Sequence, residues 1–248
     1  MAYRFKHVEH QVYQNTFLKD VRISVEYPLM DVTTVNPAKM QVFFNKFHGA
    51  DIKVEYFLER GNINIFSGNH DIDFRFSLSY AEAKLCAPPY TSFEDAWSYW
   101  LILEDFLKAL GVSEVNFLTV RKFNALFFKS NNKNYDIREV MGGLFCDELM
   151  SKIPADVSTD TSLNGFERTW GESDDESGTE VEVVYGIKKA DSVEKNDHLT
   201  LVTMVRSKQG SIPVEDVLKR ANEYNQTLFD LFHWCVNEDI INSMKIGL

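Results

Sequence analysis

Four short constellations in this chain combine residue types that could do chemistry. His7-Val8-Glu9-His10 offers two imidazoles and a carboxylate to a metal. Its spacing lacks the i, i+4 pairing that sets two histidines on one helix face, and no further ligand cluster accompanies it, so no metal site and no cofactor is read from it. Asn69-His70-Asp71-Ile72-Asp73 places Asp71 and Asp73 at alternate positions, with Arg75 continuing the row. On a strand these three side chains face one way, and two carboxylates on one face suit a hydrolase or nuclease site facing its ligand or, in the plainer reading, solvent. Asp73 followed by Glu82-Ala83-Lys84 has the order of an acidic residue and an E-x-K triplet, as in many metal-dependent nucleases. If one extended strand carries both acids, nine steps part them by roughly 30 Å, too far to share a metal. The fourth constellation, the connection Gly171 to Gly178 (GESDDESG), gathers Glu172, Asp174, Asp175 and Glu176. It reads as a solvated connection or as a patch that docks on a basic protein surface or imitates nucleic-acid phosphates.

Other signatures are missing from the sequence. Met141-Gly142-Gly143 is not followed by the Lys-Ser or Lys-Thr of a phosphate loop, and no G-x-S-x-G elbow occurs. Cys86, Cys146 and Cys235 are odd in number, far apart and set in apolar surroundings, which predicts reduced thiols rather than a disulfide framework or a metal knuckle. The net charge of −11 is uneven, for nine acids between Asp156 and Glu182 face only Arg168. That balance disfavours nucleic acid as a partner. The opening Met1 to His10 has no apolar core before a cleavage site, and no apolar run reaches the length of a membrane helix, so the expectation is a cytoplasmic protein with no membrane association.

The elements that must position these residues follow from periodicity. Phe17 to Tyr27 alternates and ends at Pro28; Asn36 caps a short helix with Pro37 at its first position and Met40, Phe43, Phe44 and Phe47 as its stripe. Lys53–Leu58 and Asn62–Phe66 form a hairpin around Glu59-Arg60-Gly61, and Asp71–Tyr80 reads as one clean strand. Thr91 or Ser92 caps a long helix that Gly111 closes; its two apolar stripes predict burial on more than one side, between sheet and neighbour or at a subunit contact. The order then recurs: a long strand over Val115–Lys129, a helix capped by Asp136, strands near Gly165–Trp170, Thr179–Lys188 and His198–Ser207, and a last helix opened by Pro213. The fold class predicted is α+β, one compact domain over 1–248 built of two similar halves, about 17–111 and 113–245. Each half is strand, short helix, three antiparallel strands and long helix. The arrangement is similar to helix-grip and TATA-binding-protein-like folds, which carry no function with them.

Three segments, FLKDVRISVEYP, FLTVRKFNALFF and LFDLFHWCVNEDIINSMKIG, together resemble a sporadically distributed family of uncharacterised bacterial proteins of about this length. The middle strand of that family commonly reads Gly-Leu-Arg-Tyr-Ile-Asn. Val120, Arg121, Phe123 and Asn124 match it in part, while Thr119 stands where Gly is common and Lys122 where an aromatic is. The resemblance implies a bacterial cytosolic protein of patchy distribution, compatible with accessory genes of mobile or defence loci, and transfers no activity. It adds Arg121 to Asp71, Asp73 and Arg75 as candidate ligand-facing residues; Asn124, three positions on, falls on the opposite strand face.

The expectation that emerges is a non-enzymatic binding module with a protein partner or a second copy of itself. One alternative is a small-molecule-binding or hydrolytic site between sheet and long helix. The other is an acidic inhibitor acting through Glu172, Asp174, Asp175 and Glu176.

Overall fold

In the computed structural model the alternating runs are strands and the runs spaced by three and four are helices; it describes residues 3–11, 13, 16–47, 52–57, 62–87, 90–127, 135–154, 165–190, 196–208 and 210–245. In chain order the elements are β1 (Leu18–Glu26), α1 (Pro37–Asn45), β2 (Ile52–Phe57), β3 (Asn62–Ser67), β4 (Ile72–Phe76), β5 (Tyr80–Cys86), α2 (Trp97–Leu110), β6 (Glu114–Val115) and β7 (Phe117–Phe127). They continue with α3 (Ile137–Gly142), α4 (Asp147–Ser151), β8 (Gly165–Asp174), β9 (Thr179–Lys188), β10 (His198–Ser207), β11 (Ile212–Pro213), α5 (Val217–Cys235) and α6 (Glu238–Lys245). The protein is α+β. Its chain divides into two compact units, Asp20–Arg121 with Val205–Asn225, and Met1–Lys19 with Lys122–Met204 and Gln226–Leu248. Neither unit is one contiguous stretch.

In the 20–121 unit, β2-β3-β4-β5-β1 lie side by side, with each pair antiparallel. The register aligns Ile65, Phe74, Ala83 and Ile23 in one row and Ile63, Phe76, Ala81 and Val25 in the next. Ile65, Phe74, Ala83 and Ile23 are wholly buried. Each large side chain so buried contributes about 1.5–3 kcal/mol. The two helices cover this face through a phenylalanine cluster. Phe43 of α1 meets Phe76 edge-on at 6.0 Å and Phe106 of α2 at 5.6 Å, and Phe106 stacks on Phe76 at 3.9 Å. Asn36 caps α1 as expected, accepting from the amides of Ala38 and Lys39.

Three sequence expectations in this unit need correction. The strand expected over Asp71–Tyr80 is the end of one strand and the start of another, joined by a turn at Ser77–Ser79. The Ser77 amide donates to the Tyr80 carbonyl at 2.8 Å, and the buried Tyr27 hydroxyl donates to the Ser77 carbonyl at 2.7 Å. Alternation runs on through this turn because it holds neither Gly nor Pro. The helix α2 begins at Trp97, since Ser92 caps the preceding turn by accepting from the Asp95 amide at 3.0 Å. Pro213 ends the short strand β11, paired to β6, and a 3-10 turn at Val214–Asp216 leads into α5. Glu59-Arg60-Gly61 lies outside the described residues.

In the 122–204 unit, β7, β10, β9 and β8 are neighbours in that order. Ten residue pairs, from Gly165–Lys188 to Asp174–Thr179, join β8 and β9. Phe145 packs edge-on against Tyr185 at 5.3 Å, and the Tyr185 hydroxyl donates to the Leu149 carbonyl at 2.8 Å. The space lined by Phe17, Leu126, Leu144, Leu199, Leu201 and Phe232 amounts to about 10 Å³. The helix α4, preceded by Cys146, has no counterpart in the sequence reading.

Candidate functional site

The face of β3-β4-β5-β1 opposite the buried rows is a ladder of charge. Across it run Asn64, Arg75, Glu82 and Ser24, and beside them Phe66, Asp73, Lys84 and Arg22. The turn at Ser77–Ser79 brings Asp73 opposite Lys84 and one diagonal from Glu82, about 7–8 Å between Cα atoms rather than the span of an unbroken strand. The side chains then settle into ion pairs. Arg22 spans Asp20 through Nε at 3.0 Å and reaches the Glu82 carboxylate at 3.8 Å, while Arg75 holds Asp73 at 3.3 Å. Burial works against the Arg22 charge, but the Asp20 hydrogen bond and the charges of Asp20 and Glu82 outweigh it and raise its pKa. The Tyr80 hydroxyl donates to Glu82 at 2.8 Å, and burial raises its pKa well above the phenol range. Each acid is therefore paired to a cation or a hydroxyl, and no group of three metal-ligating side chains occurs among the described residues.

The other strand candidates are scattered. Asp71 precedes β4 in a turn, where the Asn69 amide donates to its carboxylate and its own amide donates back to Asn69 at 3.3 Å. His70 in the same turn adopts a left-handed φ of 59° and stacks on Phe66 at 4.4 Å. Arg121 is half-buried on β7, its Nε sequestered with no hydrogen-bond partner among the described residues. Asn124 is buried and donates to the Leu201 carbonyl at 3.3 Å. His7 and His10 diverge: one meets Asp230 at 3.2 Å, the other packs on Phe229 at 4.7 Å.

The acidic connection is mostly strand. Glu172 lies on β8 and pairs with Arg4 at 2.7 Å. Asp174 ends that strand buried; hydrogen bonds from Ser177 and from the Glu176 amide hold its carboxyl down at about 2. Asp175 and Glu176 form the turn itself. The four acids thus share one hairpin end, but Glu172 and Asp174 are engaged by their own chain.

A third surface was not singled out in the sequence. Between α1 and α2 lies an open groove of about 450 Å³, floored by Phe43 and Ala109 and rimmed by Lys39, Val42, Lys46, Asp105 and Lys108. Lys39, Val42 and Lys46 recur at three and four residues, so they form one stripe of α1, on the side away from its buried contacts. Lys46 bridges the helices to Asp105 at 2.6 Å, and Lys108 pairs with Glu104 one turn earlier, which raises the pKa of that lysine. Val42 is 64% exposed, and on α2 the adjacent turns present Trp97 and Leu101 at 39% and 38%. The signal available in the sequence was a valine between lysines on the wet side of a short helix, and the surplus apolar stripe of α2.

No family model matches the chain, and no curated protein matches it.

Proposed function

We propose that this chain is a non-enzymatic protein-interaction module and that the helical face of α1 and α2 is its binding surface. The observation that carries the reading is the lysine-rimmed groove with an apolar floor, beside Val42, Trp97 and Leu101. An exposed apolar patch beside a concavity marks an interaction site, an aromatic such as Trp97 is the usual anchor of an interface, and a rim of charge sets partner choice. The ion-paired sheet face supports this indirectly, since its acids are engaged by Arg22, Arg75 and Tyr80. The resemblance to a sporadic bacterial family adds an accessory role in mobile-element or defence loci to the reading.

The test is affinity purification of a tagged copy from the source cell, with wild type and Val42→Asp compared by mass spectrometry. The expected result is a stoichiometric protein, an untagged second copy included, that co-elutes with wild type and is lost with the variant. Wild type eluting alone, or the same protein recovered with both baits, would sink the reading.

A further inference from the structure

Resting on that reading, we infer that the occupant of this face is a second copy of the chain, docked so that Trp97 of each copy enters the groove of the other. Five large hydrophobic side chains are exposed among the described residues, and three of them, Val42, Trp97 and Leu101, lie on α1 and α2. Along the outward stripe of α2, Trp97 and Leu101 are one turn apart and Glu104 and Lys108 continue it, while the exposed Glu94 stands just ahead of the helix.

This stripe is self-complementary. Two copies packed antiparallel about Leu101 pair each residue before the crossing with one the same distance beyond it, because a two-fold contact uses the same patch on both sides. Leu101 then meets Leu101. Lys108, seven residues past the crossing and about 10 Å along the axis, comes to the N-terminal end of the copy's α2, where the exposed Glu94 stands in the turn just ahead of the helix. Trp97 falls opposite Asp105, at the mouth of the groove. There its indole has the apolar floor of Phe43 and Ala109 beneath it and the ammonium groups of Lys46 and Lys108 at the rim, an arrangement that attracts an aromatic face to a cation. Lys108, which pairs with Glu104 in its own chain, also suits the arriving acid of the copy, so the contact matches charge as well as shape. A large aromatic seated in a partner's concavity is the form that most strong interface anchors take.

The experiment is sedimentation velocity with light scattering on the purified full-length protein at concentrations up to about 100 μM, for wild type, Val42→Asp, Lys108→Glu and the double variant Lys108→Glu/Glu94→Lys. Wild type is expected to dimerise. Val42→Asp and Lys108→Glu should each weaken the dimer at least tenfold, and the double variant should recover it in part, since the 94–108 pair returns while the Lys108 cation at the groove rim does not. Recovery separates the contact from a merely structural effect, because the exchange does not restore the Glu104–Lys108 pair within the chain. Wild type monomeric throughout, or a dimer indifferent to both single variants, overturns the inference. If wild type is monomeric yet captures another protein in a manner sensitive to Val42→Asp, the inference fails and the interaction reading stands.

Discussion

Two side chains show how local chemistry fixes this molecule. Phe106 is 2% exposed and stacks on Phe76 while Phe43 meets it edge-on, so truncation empties a site that three elements share. Phe106→Ala is expected to cost about 3–5 kcal/mol, the range for large aromatic cavities, read as a lower urea midpoint at unchanged slope. Asp174 acts through charge. Its carboxyl is held at about 2 by the hydrogen bonds from Ser177 and the Glu176 amide, below the value of about 4 it has in an unfolded chain. A depressed acid contributes stability above its unfolded pKa, and that contribution is lost as pH falls through the folded one. Asp174→Asn should therefore lower Tm at pH 6, and the gap to wild type should close between about pH 4 and pH 2. A gap that stays constant across this titration would remove the carboxylate from the account. In the sequence Asp174 is one acid among several in GESDDESG; its particular role depends on the turn closing at Ser177 and Gly178, which charge counting does not reveal.

At the level of elements, the strands and caps were legible where pattern and punctuation agree. Leu18–Glu26 alternates, Asn36 and Asp136 cap their helices with side-chain oxygens, and Gly111 ends α2 at a left-handed φ of 91°. What escaped lacked punctuation: the turn at Ser77–Ser79 keeps the period of a strand, so the side chains alternate on both sides of it. That one turn decides whether Asp73 and Glu82 are remote or neighbours. The groove escaped for a different reason, since its rim is made of residues that each look like ordinary solvated helix positions until two helices lie together. The β8–β9 hairpin offers a sharp test of strand packing. A Cβ on Gly186 would lie 1.9 Å from the Phe166 carbonyl oxygen, a backbone atom that cannot swing aside. Gly186→Ala is expected to break the pairing near Glu167, seen as lost amide-exchange protection over Phe166–Arg168. Protection retained in that segment would show that the two backbones can separate without loss of the ladder.

For the molecule as a whole, element order and compact folding unit are different things. The order of elements divides near residue 112, whereas the 20–121 unit also contains Val205–Asn225. The returning segment is held by Ile212 opposite Val115 and Pro213 opposite Glu114, and by the Val214 amide donating to the Ser113 carbonyl at 3.0 Å. It brings Val214, Val217, Leu218 and Ala221, which are buried at 2% exposure or less. At about 1.5–3 kcal/mol for each large apolar side chain, their absence would remove several kcal/mol from a domain whose net stability is about 5–15 kcal/mol. A fragment ending at residue 112 is therefore expected to lack a cooperative urea transition and slowly exchanging amides, even though it contains β1–β5, α1 and α2. Addition of the fragment from residue 113 onward should restore both in a single transition, because the missing apolar residues then return in trans. A cooperative transition in the first fragment alone would show that the helix cluster of Phe43, Phe76 and Phe106 suffices without the returning segment.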